Sequence, residues 1–180
     1  MFPLTSTSGD FWVFGYGSLM WNPGFAHDEA TKARLFGYRR ALCVRSRVYR
    51  GTPMRPGLVM GLDSGGSCVG MAYRVTRERQ EGVVEYLRNR EMISYVYRER
   101  YIPVMTADGR RVPAMTFVAE RNHEQFAGHL SVEEAAEIVR GASGTAGPNE
   151  DYVLNTVSHL REIGIRDHWL EGVAELIRGP

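Results

Sequence analysis

The sequence predicts an α+β domain built on a mainly antiparallel sheet or barrel with helices packed around it. Three observations predict it. Short runs of apolar and arginine residues punctuated by Gly and Pro fill residues 11 to 75. Apolar spacing of three to four residues appears at 76 to 90 and dominates after 131, and a second pair of strand-like runs lies between. Strands first and helices later is the order of an α+β fold. The chain has 180 residues, 43% hydrophobic, and no repeat, low-complexity tract or proline-rich linker divides it. It is expected to be one domain over 1–180, with 1–10 a flexible N-terminal segment.

The elements follow in order. Phe11-Trp12-Val13-Phe14 is a buried-strand run that stops at Gly15 and feeds the loop Gly15-Tyr16-Gly17-Ser18-Leu19. Residues 31–49, 58–63 and 67–75 are expected strands, separated by turns at Gly51-Thr52-Pro53 and Ser64-Gly65-Gly66. Thr76 can cap a helix carrying Val83, Val84 and Leu87 to about Arg90, with Glu91 at its end. Ser94–Thr106 and Arg111–Ala119 return to a β pattern around the hairpin signal Asp108-Gly109. Ser131-Val132-Glu133-Glu134 is a capping box that opens a helix to Val139. Asn149 is expected to cap a helix with the stripe Val153, Leu154, Val157 and Leu160, ending at Gly164. Asp167 opens the last helix, with Trp169, Leu170, Val173 and Ile177 facing inward.

Composition removes several function classes. No apolar run approaches the roughly 20 residues of a bilayer span, and Met1–Asp10 lacks the basic and cleavage features of a secretory signal. A soluble, cytoplasmic protein is expected, with no membrane partner. Cys43 and Cys68 have neither CxxC spacing nor further partners, so they are expected to be free, buried thiols. His27, His123, His129, His159 and His168 show no metal-ligand spacing, and no metal or other cofactor is expected.

Net charge is +1, yet the chain is polar along its length. Residues 30 to 62 hold Lys32 and arginines 34, 39, 40, 45, 47, 50 and 55 without one acid, whereas 120 to 180 hold eleven acids against five arginines. A basic rim drawing in a small anionic substrate explains this, and so do arginines on outer strand faces paired with acidic C-terminal helices. A nucleic-acid footprint lacks any recognition motif, and Lys32 is the only lysine. No nucleic-acid partner is expected.

Two local features can carry chemistry. Glycines at 15 and 17 allow positive φ and close approach, so backbone N–H groups of the loop can cradle a carboxylate or phosphate, although a plain strand-end turn explains the same residues. The loop is not GxGxxG, Walker A or GxSxG, because Met20, Leu19 and the missing lysine break each pattern. Ser18 has no assigned His and Asp partners, which favours a ligand contact over a nucleophile. Glu91, beside Arg90 and ahead of Tyr95, Tyr97 and Tyr101, is either a solvated helix-end residue or a carboxylate whose aromatic setting raises its pKa and suits it to accept a proton.

Together these pieces resemble the ChaC-type, glutathione-specific γ-glutamylcyclotransferases. The resemblance rests on Val13-Phe14-Gly15-Tyr16-Gly17-Ser18-Leu19-Met20-Trp21-Asn22-Pro23, Tyr38-Arg39-Arg40, Arg50-Gly51-Thr52 with Pro56-Gly57, and Gly70-Met71-Ala72-Tyr73-Arg74. It extends through Tyr86-Leu87, Arg90-Glu91-Met92-Ile93, and Gly144 through Asn149 to Tyr152. It implies a closed β-barrel-like core and a pocket for glutathione, converted without cofactor to 5-oxoproline and cysteinylglycine. By matching position it implies that Val13, Phe14, Gly15, Tyr16, Gly17, Ser18 and Leu19 bind substrate, that Glu91 is the general base, and that Tyr152 lines the pocket. Arg50 is a candidate for a substrate carboxylate, and Arg39 and Arg40 match without an assigned role. Two positions depart from some members: Tyr49 replaces a histidine, and Gly82 replaces a glutamate nine residues before Glu91. A cyclotransferase for other γ-glutamyl amines and a non-catalytic anion- or RNA-binding module are the competing expectations.

Overall fold

Strand β1 (Phe11–Gly15) is buried at every residue, as an unbroken run of aromatic and β-branched side chains requires. Phe11 and Val13 pack with Val83, Leu87, Met115 and Phe117 on one side, while Trp12 and Phe14 join Leu35, Leu58, Val153 and Val173 on the other. The computed structural model describes residues 9–92, 94 and 96–180. Most of the expected flexible segment 1–10, together with Ile93 and Tyr95, lies outside the described residues.

Strands β2 (Glu29–Ser46), β3 (Gly57–Val75), β4 (Tyr97–Thr106) and β5 (Arg111–Ala119) complete a closed five-stranded barrel in the order β1-β3-β2-β4-β5. Every neighbouring pair is antiparallel except the closing seam, where β1 runs parallel to β5 through Trp12 opposite Ala114 and Val13 opposite Met115. Closure leaves no open sheet edge in the barrel.

Several boundaries differ from expectation: β2 covers Glu29–Ser46 where 31–49 is expected, and β4 starts at Tyr97, not Ser94. Residues 58–63 and 67–75 form one continuous strand, and Ser64-Gly65-Gly66 is a bulge within it, not a turn. Pairing moves from Phe36 opposite Ser67 to Tyr38 opposite Ser64, so two β3 residues face the single Gly37. Gly65 (φ 99°) and Gly66 (φ 73°) absorb the extra residue, a use of glycine that is locally indistinguishable from a turn.

Helix α1 (Arg77–Glu91) begins after Thr76, whose side chain makes no cap bond; its backbone N–H instead donates to Asp28 Oδ2 at 3.0 Å. The capping box forms at α2 (Val132–Val139), where Ser131 Oγ accepts from Glu134 N and Glu134 Oε2 from Ser131 N. Helix α3 (Asn149–Glu162) corrects the expected cap. Pro148 holds the N-cap position, and Asn149 turns into the core, where its amide donates to Leu58 O at 2.8 Å and accepts from Leu58 N at 2.7 Å. Asp167 does cap α4 (His168–Arg178), accepting from Leu170 N at 3.0 Å. A two-stranded patch, β6 (Ser143–Gly144) with β7 (Gly147–Pro148), was not anticipated. Such two-residue strands have no periodicity to detect.

The stripe Val153, Val157 and Leu160 is buried on the barrel with Leu154 half-buried, and Leu170 and Val173 of α4 join it. Cys43 and Cys68 are buried free thiols, and burial pushes Cys43 up to about 12. Among the described residues no helix is long and apolar enough to cross a membrane.

Candidate active site

Helix α1 decides where Glu91 goes. Val83 and Leu87 are buried, and Glu91 continues the same i, i+4, i+8 stripe. A carboxylate at the end of an inward-facing stripe is carried to the wall of the barrel, with only a fifth of its side chain exposed. There it shares a cavity of about 440 Å3 with Tyr16, Gly17, Ser18, Leu19, Tyr49, Arg50, Val59, Met60, Arg90, Tyr97, Phe117, Ala146 and Tyr152. A larger trough of about 650 Å3 runs along α1 past Arg77, Glu81 and Arg88. It is more open to solvent, so charges there are screened and it is the weaker candidate.

Burial raises the pKa of Glu91, and the Arg90 guanidinium, 3.4 Å away, opposes part of that rise. Burial likewise pushes Tyr16 and Tyr97 well above the usual phenol range and Tyr152 to about 12. At neutral pH all three phenols stay protonated, leaving Glu91 as the group able to take up a proton. Their hydrogen bonds are directional. Tyr97 Oη donates to Met60 O at 2.7 Å, so its lone pairs remain available, whereas Tyr152 Oη accepts from Met60 N at 3.0 Å and keeps its own proton to donate.

The loop is built by packing. Gly15 and Gly17 both avoid positive φ, contrary to that part of the glycine expectation. Gly15 instead serves packing within the protein, where a Cβ would lie 2.8 Å from Leu19 Cβ. Ser18–Met20 makes a single 3-10 turn, and Tyr73 Oη lies 2.8 Å from both Leu19 O and Met20 O, which share its one proton. Arg90 ties the turn to α1, donating to Ser18 Oγ at 2.8 Å and Asn22 O at 2.9 Å. The serine hydroxyl oxygen is thereby occupied by a cation, unlike a nucleophile activated by a base.

Of the residues singled out beforehand, Tyr16, Gly17, Ser18, Leu19, Arg50, Glu91 and Tyr152 come together in the cavity wall. Val13, Phe14 and Gly15 do not. They are sealed in β1 between two apolar clusters, so their part is to position the loop. The β6–β7 patch places Arg50: Thr145 N donates to Val48 O and Ala146 N to Tyr49 O, which draws residues 48–50 to the cavity mouth. Arg50 then bonds Pro148 O at 3.2 Å and stacks 5.5 Å from the Tyr152 ring centre.

The basic rim is corrected. Of the seven arginines between 34 and 55, only Arg50 lines the cavity. Arg39 pairs with Asp63 directly opposite it in the β2–β3 register, Arg47 with Glu124, and Arg55 bonds Arg140 O. Pairing with C-terminal helices holds at Arg40, which reaches Asp167. Gly82 sits on the exposed face of α1, where an added side chain meets open space. Gly82 is not among the residues of the cavity wall.

Arg90, Met60, Phe117, Val59 and Ala146 were missed. The arginine was detectable from its neighbour Glu91; the others come from strands and loops distant in sequence and carry no local signal. Among the described residues no cluster of His, Cys, Asp and Glu is arranged to hold a metal ion.

A family model described as ChaC-like protein matches residues 11–179. A glutathione-specific γ-glutamylcyclotransferase of Escherichia coli (strain K12) is 35% identical over 162 residues, covering 90% of this chain and 70% of its own. One from Schizosaccharomyces pombe is 31% identical over 179 residues, covering 88% and 86%. The crystal structure of a glutathione-specific γ-glutamyl cyclotransferase from yeast superposes with a TM-score of 0.83 at 21% identity, covering 95% of this chain and 96% of that one, which establishes the shared fold.

Proposed function

The chain belongs to the ChaC-like protein family, and from that premise we propose that it cleaves glutathione to 5-oxoproline and cysteinylglycine with Glu91 as general base. The observation that carries this reading is a sheltered carboxylate of raised pKa sharing one cavity with the Tyr16–Leu19 loop.

The α-amine of the γ-glutamyl group attacks its own γ-carbonyl carbon. A C–N bond closes a five-membered lactam, and the bond to the cysteinyl nitrogen breaks. The amine arrives largely as ammonium and is inert until deprotonated. Glu91 takes that proton and returns it to the departing nitrogen; the second proton, which the attacking nitrogen sheds as it becomes the lactam N–H, follows the same route, so the dipeptide leaves as an ammonium ion, the carboxylate is regenerated and protons balance. Free N–H groups of the loop and the Tyr152 hydroxyl donate to the substrate carboxylate and to the developing oxyanion. The cavity holds the flexible γ-glutamyl chain bent, removing rotational freedom before the chemical step. Arg50, at the mouth beside exposed Tyr49, faces the dipeptide portion and its terminal carboxylate.

Mass spectrometry of products after incubation with reduced glutathione tests this, with γ-glutamyl-alanine alongside. Equimolar 5-oxoproline and cysteinylglycine are expected; turnover of γ-glutamyl-alanine alone would move the assignment to other γ-glutamyl amines. Product-free incubations combined with salt-sensitive RNA retention would favour a binding module.

Two further results are expected. Gly17→Val has room at Cβ, whose nearest neighbour would be Met60 Cβ at 3.9 Å. The fold therefore survives while the valine methyls occupy cavity space, and glutathione affinity falls by about tenfold or more in a calorimetric titration; retained affinity counts against the loop. Because burial raises the Glu91 pKa, the active carboxylate is lost as pH falls through a value above that of an ordinary glutamate. The acid limb of the kcat/KM profile lies correspondingly high, and a limb in the ordinary carboxylate range would rule out burial as what tunes the base.

A further inference from the structure

Arg40 is a buried cation that neither lines the cavity nor has an assigned role. Its side chain is 4% exposed, and its donors are spent on four groups. Nε donates to Tyr16 O at 2.6 Å, Nη2 to Val69 O at 2.6 Å and toward Met20 Sδ at 3.7 Å, and Nη1 to Asp167 Oδ2 at 3.3 Å. Asp167 is at the same time the N-cap of α4. A charge this enclosed is tolerated because each guanidinium nitrogen has an acceptor and the carboxylate balances it.

The bond to Tyr16 O has a consequence at the next residue. The 16–17 peptide is trans, and in a trans peptide C=O and N–H point in opposite directions. Arg40 holds the carbonyl on the β3–α4 side, away from the cavity, so the Gly17 N–H is turned toward it. Neither Gly17 N–H nor Ser18 N–H has an acceptor among the described residues, although Gly17 and Ser18 line the cavity. Met20 N, by contrast, is spent on Gly17 O at 2.9 Å.

We propose that Arg40 is a positioning residue: by gripping the Tyr16 carbonyl from behind, it orients the Tyr16–Gly17 peptide so that the Gly17 N–H meets an anionic group of the substrate. The arrangement joins the α4 N-cap, the Asp167–Arg40 ion pair and the substrate loop in one hydrogen-bonded chain. It rests on the functional reading above for the identity of that anion, not for the orientation of the peptide.

The test uses full-length Arg40→Met and Arg40→Lys. Methionine fills the volume without donors; lysine retains the charge facing Asp167 but cannot serve Tyr16 O, Val69 O and Asp167 together. Crystal structures of the ligand-free variants read the peptide directly, and the expected result is a rotated or multiply oriented Tyr16–Gly17 peptide in Arg40→Met. KM for glutathione and the Kd for 5-oxoproline are expected to rise about tenfold in Arg40→Met and less in Arg40→Lys, as loss of a hydrogen bond to a charged group predicts. A merely stabilising arginine would lower the melting temperature and the folded fraction, reducing the maximal rate while leaving KM unchanged.

An unrotated peptide, or an unchanged KM in folded variant, overturns the proposal. Should Arg40→Met fail to fold, Arg40→Lys decides by the same two readouts. If the wild-type protein releases no 5-oxoproline, the functional reading falls alone, and the peptide orientation in the crystals still judges Arg40.

Discussion

Replacing Glu91 by glutamine lowers 5-oxoproline release from glutathione by about 10²- to 10⁴-fold, the range that removing a general base produces. Glutamine keeps the shape of the side chain and its place on the Val83–Leu87 stripe of α1 but cannot accept the ammonium proton. The buried phenols do not substitute, because burial keeps Tyr16, Tyr97 and Tyr152 protonated. Folding is expected to be undiminished at neutral pH. A carboxyl whose pKa is raised on folding binds its proton more tightly in the native state, so native stability falls as pH rises through that pKa. The amide removes that cost, and the melting temperature at pH 7 should equal or exceed the wild-type value. Steady-state kinetics and thermal melts on one preparation check both. Near-normal turnover removes Glu91 from the mechanism, whereas lost turnover with a collapsed melt marks a structural role.

The largest effect on stability is expected at Asn149. Its side chain, fully excluded from solvent, is the partner of both Leu58 N and Leu58 O. Asn149→Ala strands two buried backbone groups, at about 1 to 3 kcal/mol each. For a protein of this size that lowers the melting temperature by roughly 5 to 15 °C. The loss should reach the cavity, because Tyr152 lies one turn along α3 and bonds Met60, two residues beyond Leu58. KM for glutathione is therefore expected to rise in the surviving folded protein. A melt within 2 °C of wild type, where about 5 °C is the lower bound, would show that Asn149 is not the brace between β3 and α3.

How much was legible beforehand depended on whether the signal was local. The capping box at Ser131, the Asp167 cap and the buried run of β1 could be read because a cap or an apolar run is made by residues adjacent in sequence. Asn149 misled for the same reason: asparagine ahead of an apolar stripe has the composition of a cap, and only the approach of β3 made Leu58 a better partner. The Ser64–Gly66 bulge shows the converse case, since a turn and a bulge draw on the same glycine conformations.

For the candidate site, the loop and Glu91 were named from sequence motifs, and the i, i+4, i+8 spacing of Val83, Leu87 and Glu91 carried the carboxylate's inward direction. The arginine block was legible only as charge. Which arginine lines the cavity, which pairs across strands and which is buried behind the loop depends on the register of β2 against β3 and on where α4 docks. By itself, then, the sequence determined the element types, the α+β class and the residues able to donate or accept protons, because propensity, periodicity and side-chain chemistry belong to short stretches of chain. Tertiary structure alone decided which of them share one cavity. Barrel closure brings residues 16, 50, 60, 91 and 152 to a common wall, and the desolvation that raises the Glu91 pKa exists only once those distant segments exclude water together.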